Sequence, residues 1–287
     1  MSARRHQPGD AHILSAPELE RFCEYLYRQT GMTFGEAKRY YIDRRVSDRM
    51  AATGETSFSA YFARLRGDRA ELEEVINAFT VNETYFYREL HQLVCLGRDL
   101  LPAIVQPRSP GDKVRIWSNP CSTGEEPYSI AIWLLENWPM VDAYNIEIIG
   151  SDIDTDVLEA AQEGAYGERA LGRLPTDVAD RYFEPSDEGR RQIIADLRES
   201  VAFRPVNLID ADSMAAEGLF DVIFCRNVLI YFDEASRATA VDNLYRALRP
   251  GGYVCLGHTE SMSRISDRFE VRRFKDAVVY QRPAESR

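Results

Sequence analysis

Apolar positions follow two different rhythms along the chain. From about residue 15 to residue 90 they recur every three to four positions, which predicts amphipathic helices. SAPELERFCEYLYRQTG opens with Ser15 as an N-cap, carries Pro17 and Glu18 in its first turn and stops at Gly31. GEAKRYYIDRRVSDRMAATG closes at Gly54, and SFSAYFARLRGD and AELEEVINAFTVN make two more helices. Ile42, Val46 and Met50 form a stripe that packs inward. From residue 113 short apolar runs alternate with helical patterns. VRIWS, IEIIGSDID, VAFRPVNL, FDVIFCRNVL and YVCLGH read as strands, and FEVRRFKDAVVYQR as a last strand or hairpin. Helices are predicted over Glu125–Asn137, Thr155–Gln162 and EASRATAVDNLYRALRPGG, the last stopped by Pro250-Gly251-Gly252. Pro102, Pro107, Pro110 and Gly111 mark the connection between the two textures. The predicted organisation is a helical domain over 1–90, a linker over 91–112 and an α/β domain over 113–287.

An alternating α/β pattern predicts a sheet whose ligands lie at the C-terminal ends of its strands. Polar residues bunch there: Ser118–Glu126 after the first strand, Asp152 after the second, Arg226-Asn227 after IFC. The first turn, SNPCSTGEEPYSIAI, has one glycine, Gly124, where a dinucleotide loop has three, and two carboxylates, Glu125 and Glu126. A pyrophosphate is repelled there. Acids in a first helical turn also suit the helix dipole, so the pair alone does not define a site. Asp152 adds to it, because an acid after the second strand commonly bonds ribose hydroxyls, while Asp154 is the better cap for the following helix. A nucleoside with a positive substituent and no phosphate fits both features, and S-adenosylmethionine is such a molecule.

Composition narrows the alternatives. The 287 residues are 45% hydrophobic and 28% charged, as in an ordinary globular protein. No apolar run of about 18 residues exists to span a membrane, and the N-terminus lacks a secretion signal's apolar core. A cytoplasmic protein without membrane insertion is expected. Five scattered cysteines form no CxxC pair, so neither a disulfide framework nor a metal site is expected. The net charge of −11 disfavours nucleic acid as a partner. Residues 1–90 are nearly balanced, with 13 Lys+Arg against 14 Asp+Glu, which leaves room for a local basic patch. On the second helix Lys38, Arg45 and Arg49 fall within about 40° of one another, with Arg39 nearby.

NETYFYRE (Asn82–Glu89), WSNPCSTGEEPYSIAI, GSDIDTDVLEAAQEGAY, FDVIFCRNVLIYFD and LRPGGYVCLGHTES together resemble CheR, the chemotaxis receptor glutamate methyltransferase family, in that family's order and from about residue 15 to 280. The resemblance implies an all-α N-terminal domain joined to a Rossmann-like class I methyltransferase sheet, with a small β-subdomain inserted at about 175–200. It implies methyl transfer from S-adenosylmethionine to receptor glutamates, giving γ-methyl esters and S-adenosylhomocysteine. By matching position, Asn82, Thr84 and Arg88 approach the cofactor and the transfer site, and Glu126 or its neighbour Glu125 contacts the cofactor. Asp152 takes the ribose. Asn207-Leu208 and Arg226-Asn227 surround the adenosine and methionine parts, and Tyr231 stands beside the reacting methyl. Asn119-Pro120 stands where the family has two small residues, and Tyr87 where it has phenylalanine.

The chemistry agrees with such a site. A glutamate carboxylate is already ionised at neutral pH, with an unperturbed pKa of about 4.3, so displacement at a sulfonium methyl needs no general base. None of the four histidines belongs to a strong constellation: His6 and His12 lie in the tail, His91 in the linker and His258 at a strand end. Alignment is what the protein has to supply. Arg88 is assigned to positioning the carboxylate, the alternative being a salt bridge with Glu89. Tyr231 is assigned to orienting the methyl or the attacking oxygen, the alternative being a core aromatic. The family's use of the second helix makes Lys38, Arg39, Arg45 and Arg49 the expected docking face for an acidic receptor helical bundle. Some members grip a receptor C-terminal peptide with the β-subdomain. The short turn EPSDEGRR predicts recognition independent of that pentapeptide. The rival functions are a non-catalytic cofactor sensor and a nicotinamide-dependent oxidoreductase.

Overall fold

The computed structural model describes residues 13–284. His6 and His12 lie outside the described residues. The chain forms two compact units that divide between Thr80 and Val81.

The first unit consists of helices Ala16–Thr30, Arg39–Thr53, Phe58–Gly67 and Arg69–Phe79. Local chemistry sets their ends. Ser57 and Asp68 accept backbone N–H groups as N-caps, and Gly31 and Gly54 close two helices in the left-handed region at φ 72° and 73°. The stripe Ile42, Val46 and Met50 is buried against Phe22, Phe58, Tyr61 and Phe79.

The expected linker at 91–112 is instead part of the second unit. Leu90–Cys95, a π-helical turn Leu96–Leu100 and Leu101–Val105 form one helical run. Its Leu93, Leu96, Leu100 and Leu101 are buried in the second unit's core. Pro102 is carried inside this run, in the first turn of its last segment, and does not end it.

Among the described residues the second unit has ten strands. In chain order they are β1 (Lys113–Ser118), β2 (Asn145–Asp152), β3 (Ala165–Tyr166), β4 (Phe183–Pro185), β5 (Arg191–Ile193), β6 (Val201–Pro205), β7 (Phe220–Cys225), β8 (Leu248–Leu256), β9 (Glu270–Arg273) and β10 (Val278–Gln281). Seven of them form one sheet in the order β6-β2-β1-β7-β8-β10-β9. Pairings from β6 through β8 are parallel, and the β9–β10 hairpin is antiparallel at the border. Every residue of β7 is buried, as the central strand of a sheet covered on both faces requires. The chain winds outward in opposite directions from β1 and β7, so a crevice opens where Ser118 and Cys225 leave the sheet.

The predicted small β-subdomain is an antiparallel sheet in the order β3-β5-β4, drawn from 165–193. Phe86 fastens it to the site segment. Its ring meets Tyr166 and Phe183 edge-on at 4.8 and 5.1 Å, and its N–H donates to the Ala170 carbonyl at 3.0 Å. One boundary differs from expectation. The helix Glu234–Ala247 ends before Pro250, and β8 already begins at Leu248. Gly251, at φ 81°, and Gly252 pair with Arg282 through backbone hydrogen bonds, so the Pro-Gly-Gly run is carried inside the strand.

Candidate active site

The turn after β1 is held from the β2 side. Ser122 (φ 50°) and Gly124 (φ 91°) are both left-handed. A Cβ on Gly124 would lie 2.8 Å from the Ala161 Cβ and 3.0 Å from the Tyr166 hydroxyl, so only glycine fits there. Asp152, at the end of β2, is 4% exposed. It accepts the Ser122 N–H at 2.8 Å on one oxygen and the Asp154 N–H at 3.1 Å on the other. Burial pushes Asp152 up to about 6, against the pull of these N–H groups. Asp154 caps the next helix through the Val157 N–H, as predicted, and also accepts from the Asn82 amide at 2.8 Å.

The two acids of STGEE have different surroundings. Glu125 is buried, which raises its pKa, and the Thr123 hydroxyl donates to it at 2.6 Å. Glu126 accepts the Ser118 hydroxyl at 2.7 Å and pairs with Arg226 at 2.5 Å. The Arg226 guanidinium also lies 3.3 Å from Glu89 and donates to the Arg88 carbonyl at 3.0 Å. One buried cation therefore joins NETYFYRE, the β1 turn and the β7 exit. Burial alone raises the Glu89 pKa, but Arg226 and hydrogen bonds from His258 outweigh it and hold the carboxyl below its ordinary value.

After Arg226 the chain turns through Asn227 in the left-handed region, at φ 59°. The N–H groups of Asn227, Val228 and Leu229 all donate to Glu260. Burial raises the Glu260 pKa despite these bonds. A short 3-10 turn, Leu229–Tyr231, then presents Tyr231, half-buried. Burial pushes its phenol up, opposed by the charge of nearby Arg88. Arg88 donates to the Glu83 carbonyl at 2.7 Å and lies 5.8 Å from the Tyr85 ring centre. Its expected alternative, a salt bridge with Glu89, is not formed, because Glu89 turns to Arg226 and His258. Thr84 is half-buried just ahead of the turn that holds Arg88.

On the β6 side, the Val206 N–H donates to the Asp152 carbonyl at 2.9 Å. Asn207 accepts from the Ile209 N–H, and the Leu208 carbonyl accepts the Asn243 amide at 2.9 Å. The sequence-predicted residues thus gather around the exits of β1, β2, β6 and β7. Glu89, Asp154, Glu260 and Gln92 join them without having been singled out as site residues. Gln92 donates to Glu89 and to the Leu256 carbonyl. The only sequence signal for Glu89 and Glu260 is an acid beside a strand exit or a motif arginine.

An open sheet of this strand order, with acids rather than a phosphate loop at its crevice, defines a Rossmann-like class I methyltransferase fold. The family profile described as "CheR methyltransferase, SAM binding domain" matches residues 82–278, and "CheR methyltransferase, all-alpha domain" matches residues 17–80. The chain is 47% identical to chemotaxis protein methyltransferase 2 of Vibrio cholerae, over 94% of each chain. It is 38% identical to chemotaxis protein methyltransferase 2 of Pseudomonas aeruginosa, over 87% of this chain and 88% of that one. The chain belongs to the CheR methyltransferase family, and its cofactor is S-adenosylmethionine. The residues present fit that group. Ser122 Oγ, Asn119 Oδ1 and Arg226 Nε are buried polar atoms without a hydrogen-bond partner among the described residues, and all three lie in the strand-exit segments. Among the described residues no helix is long and apolar enough to cross a membrane.

The predicted docking arginines are engaged within their own unit. Arg39 bonds Glu36, Asp43 and the Leu14 carbonyl. Arg45 bonds the Ala78 carbonyl and lies 3.6 Å over the Tyr41 ring. Arg49 meets Glu71 and Glu74, each at 2.7 Å, and Glu71 also accepts the Tyr61 hydroxyl at 2.9 Å. Lys38 lies 5.4 Å from the Phe34 ring centre. Tyr40 and Arg44, one helical turn apart, are exposed on the same helix. Glu71 is 4% exposed, so losing its arginine strands a buried charge. Arg49→Ala is expected to cost about 2–4 kcal/mol in urea unfolding, whereas Arg44→Ala stays within about 0.5 kcal/mol of wild type. Equal stability of the two variants would show the Arg49 network to be dispensable.

Proposed function

We propose that the chain transfers the methyl group of S-adenosylmethionine to glutamate side chains of chemoreceptors, forming γ-methyl esters that adapt chemotaxis signalling. The family and the relatives' names support methyl transfer in chemotaxis. The observation that carries the carboxylate acceptor is the contrast between the site's two arginines. Arg226 is neutralised by Glu126 and Glu89, whereas among the described residues the Arg88 guanidinium donates to one partner, the Glu83 backbone carbonyl. Its planar fork suits an incoming carboxylate.

The bound sulfonium supplies the methyl carbon. Arg88 orients one oxygen of the acceptor so that the other faces that carbon, and the Tyr231 phenol supports the alignment. Asp152 takes the ribose hydroxyls, while Asn82, Thr84, Glu125 or Glu126, Asn207, Leu208 and Asn227 complete the cofactor's surroundings. Arg226 contributes through its backbone and by holding Glu126. No base is required, because the acceptor arrives as an anion. The receptor docks on the helix Arg39–Thr53 by charge, with Lys38 and Arg44 as its outward cations. The turn between β4 and β5 is short, and recognition does not depend on a receptor C-terminal peptide.

With methyl-labelled cofactor and receptor cytoplasmic fragments, mild base should release volatile labelled methanol. Base-stable label would mean another acceptor atom, and bound cofactor without label would mean a sensor. In the same assay Arg88→Ala should lower turnover about 100-fold while S-adenosylhomocysteine binding changes far less. Normal turnover would remove Arg88 from its role.

Asp152 gives a pH signature. Its folded pKa of about 6 lies above the ordinary 3.8, so in the cofactor-free chain it takes up a proton as pH falls through about 6. The ionised form is the better acceptor for two hydroxyls. Affinity for S-adenosylhomocysteine should therefore be level above pH 7 and fall by up to about tenfold per unit below 6. Calorimetry on Asp152→Asn should show weaker binding without that acid limb. Parallel profiles would place the ribose elsewhere.

Finally, an isolated receptor C-terminal pentapeptide should give no calorimetric heat of binding. Saturable micromolar binding would reverse the proposal of peptide independence.

A further inference from the structure

Strand β7 is followed by a tight backbone turn at Asn227, a residue type that tolerates the left-handed region. Asn227 is left-handed, and three successive N–H groups, of Asn227, Val228 and Leu229, converge on one point. Such a nest of amides binds an anion. Here the anion is the chain's own Glu260, delivered from the exit of β8. One oxygen accepts Asn227 N–H at 2.8 Å and Gly257 N–H at 2.9 Å. The other accepts Val228 N–H at 3.1 Å and Leu229 N–H at 2.8 Å.

We propose that Glu260 is a positioning residue for the methyl-transfer site, setting the Asn227 side chain and Tyr231 through the turn it clasps. The assignment rests on the function proposed above. The links are short. Leu229 N–H is clasped directly, the Tyr231 N–H donates to the Val228 carbonyl at 3.0 Å, and Arg237 Nε holds the Leu229 carbonyl at 2.8 Å. Tyr231 thus stands on a platform whose amides are pinned on one side and whose carbonyls are pinned on the other. The β8 exit is shaped to let Glu260 in. A Cβ on Gly257 would lie 2.8 Å from Asn227 Nδ2 and 2.9 Å from Glu260 Oε2.

The four donors require a carboxylate. It offers two oxygens and no hydrogen, so it satisfies all of them. Glutamine replaces one oxygen with an NH2 group, which then faces two N–H donors and leaves them unpaired. Aspartate is one methylene too short to span the same amides.

Three measurements on the full chain test the assignment. S-adenosylhomocysteine affinity is read first, because it needs no acceptor. Glu260→Gln should weaken it about tenfold and lower kcat by a similar factor, while far-ultraviolet circular dichroism shows the fold retained. A double-mutant cycle with Tyr231→Phe separates positioning from general stability. If Glu260 acts through Tyr231, the kcat loss from Tyr231→Phe shrinks at least threefold in the Glu260→Gln background. Additive losses, or wild-type affinity and kcat in a folded Glu260→Gln, would overturn the proposal. Should Glu260→Gln not fold, Gly257→Ala disturbs the same clasp from the other side and enters the same cycle. If wild type binds S-adenosylhomocysteine but methylates no receptor, the acceptor assignment fails, while the affinity comparison still decides the role of Glu260.

Discussion

The site depends on one buried cation. Arg226 leaves the central strand and meets Glu126 from the β1 turn and Glu89 from the segment that carries Arg88. Three parts of the chain far apart in sequence are thereby fastened at one point. A buried ion pair contributes little net stability when compared with an apolar replacement, but breaking one partner out of it is costly. That asymmetry suits a site. The arrangement tolerates no casual loss, and it fixes direction, since a guanidinium fork accepts carboxylates only along its plane. The second consequence is electrostatic. With Arg226 neutralised, Arg88 is the cation that acts on Tyr231, against the negative charge of Glu83 and Glu260.

Around this pin the backbone is forced into conformations that side chains ordinarily avoid. Tyr87, Glu89, Ser122 and Asn227 are all left-handed and none is glycine. Each is a site-segment residue, and left-handed non-glycine residues cost free energy that the surroundings must offset. Compensating bonds are visible: the Tyr87 N–H to the Ser129 hydroxyl, the Ser122 N–H to Asp152, and the Asn227 N–H to Glu260. The geometry of the crevice is thus imposed by long-range contacts on segments that would relax if isolated.

This explains which features were legible in sequence. The helix Glu125–Asn137 and strand β1 follow from spacing, because burial on one or both faces dictates where apolar residues fall. Gly31 and Gly54 mark helix ends because their chemistry is local. The boundary near 91–112 is hard to read because a proline carried inside a helical run looks, in sequence, like one that ends it. Pro250-Gly251-Gly252 misled in the opposite way, since cross-strand pairing with Arg282 kept them in β8. At the site, motif residues could be named but their partners could not. Arg226 and Glu126 are 100 residues apart, and Asn227 and Glu260 are 33 apart, so no window of spacing contains the contact. Arg45 and Arg49 show the converse. Helical spacing placed them on one face, but Ala78 and Glu71, from another helix, claim their donors.

Among the described residues, the hairpin that completes the large sheet leaves β9 with one unpaired side. Such a border is a template on which a second polypeptide can add its own strand. Here all four positions from Glu270 to Arg273 are exposed, and three of them are charged. An arriving strand would have to strip water from those charges before its first amide paired. Charge therefore disfavours strand addition at this border, and the sequence EVRR acts as a guard at its margin.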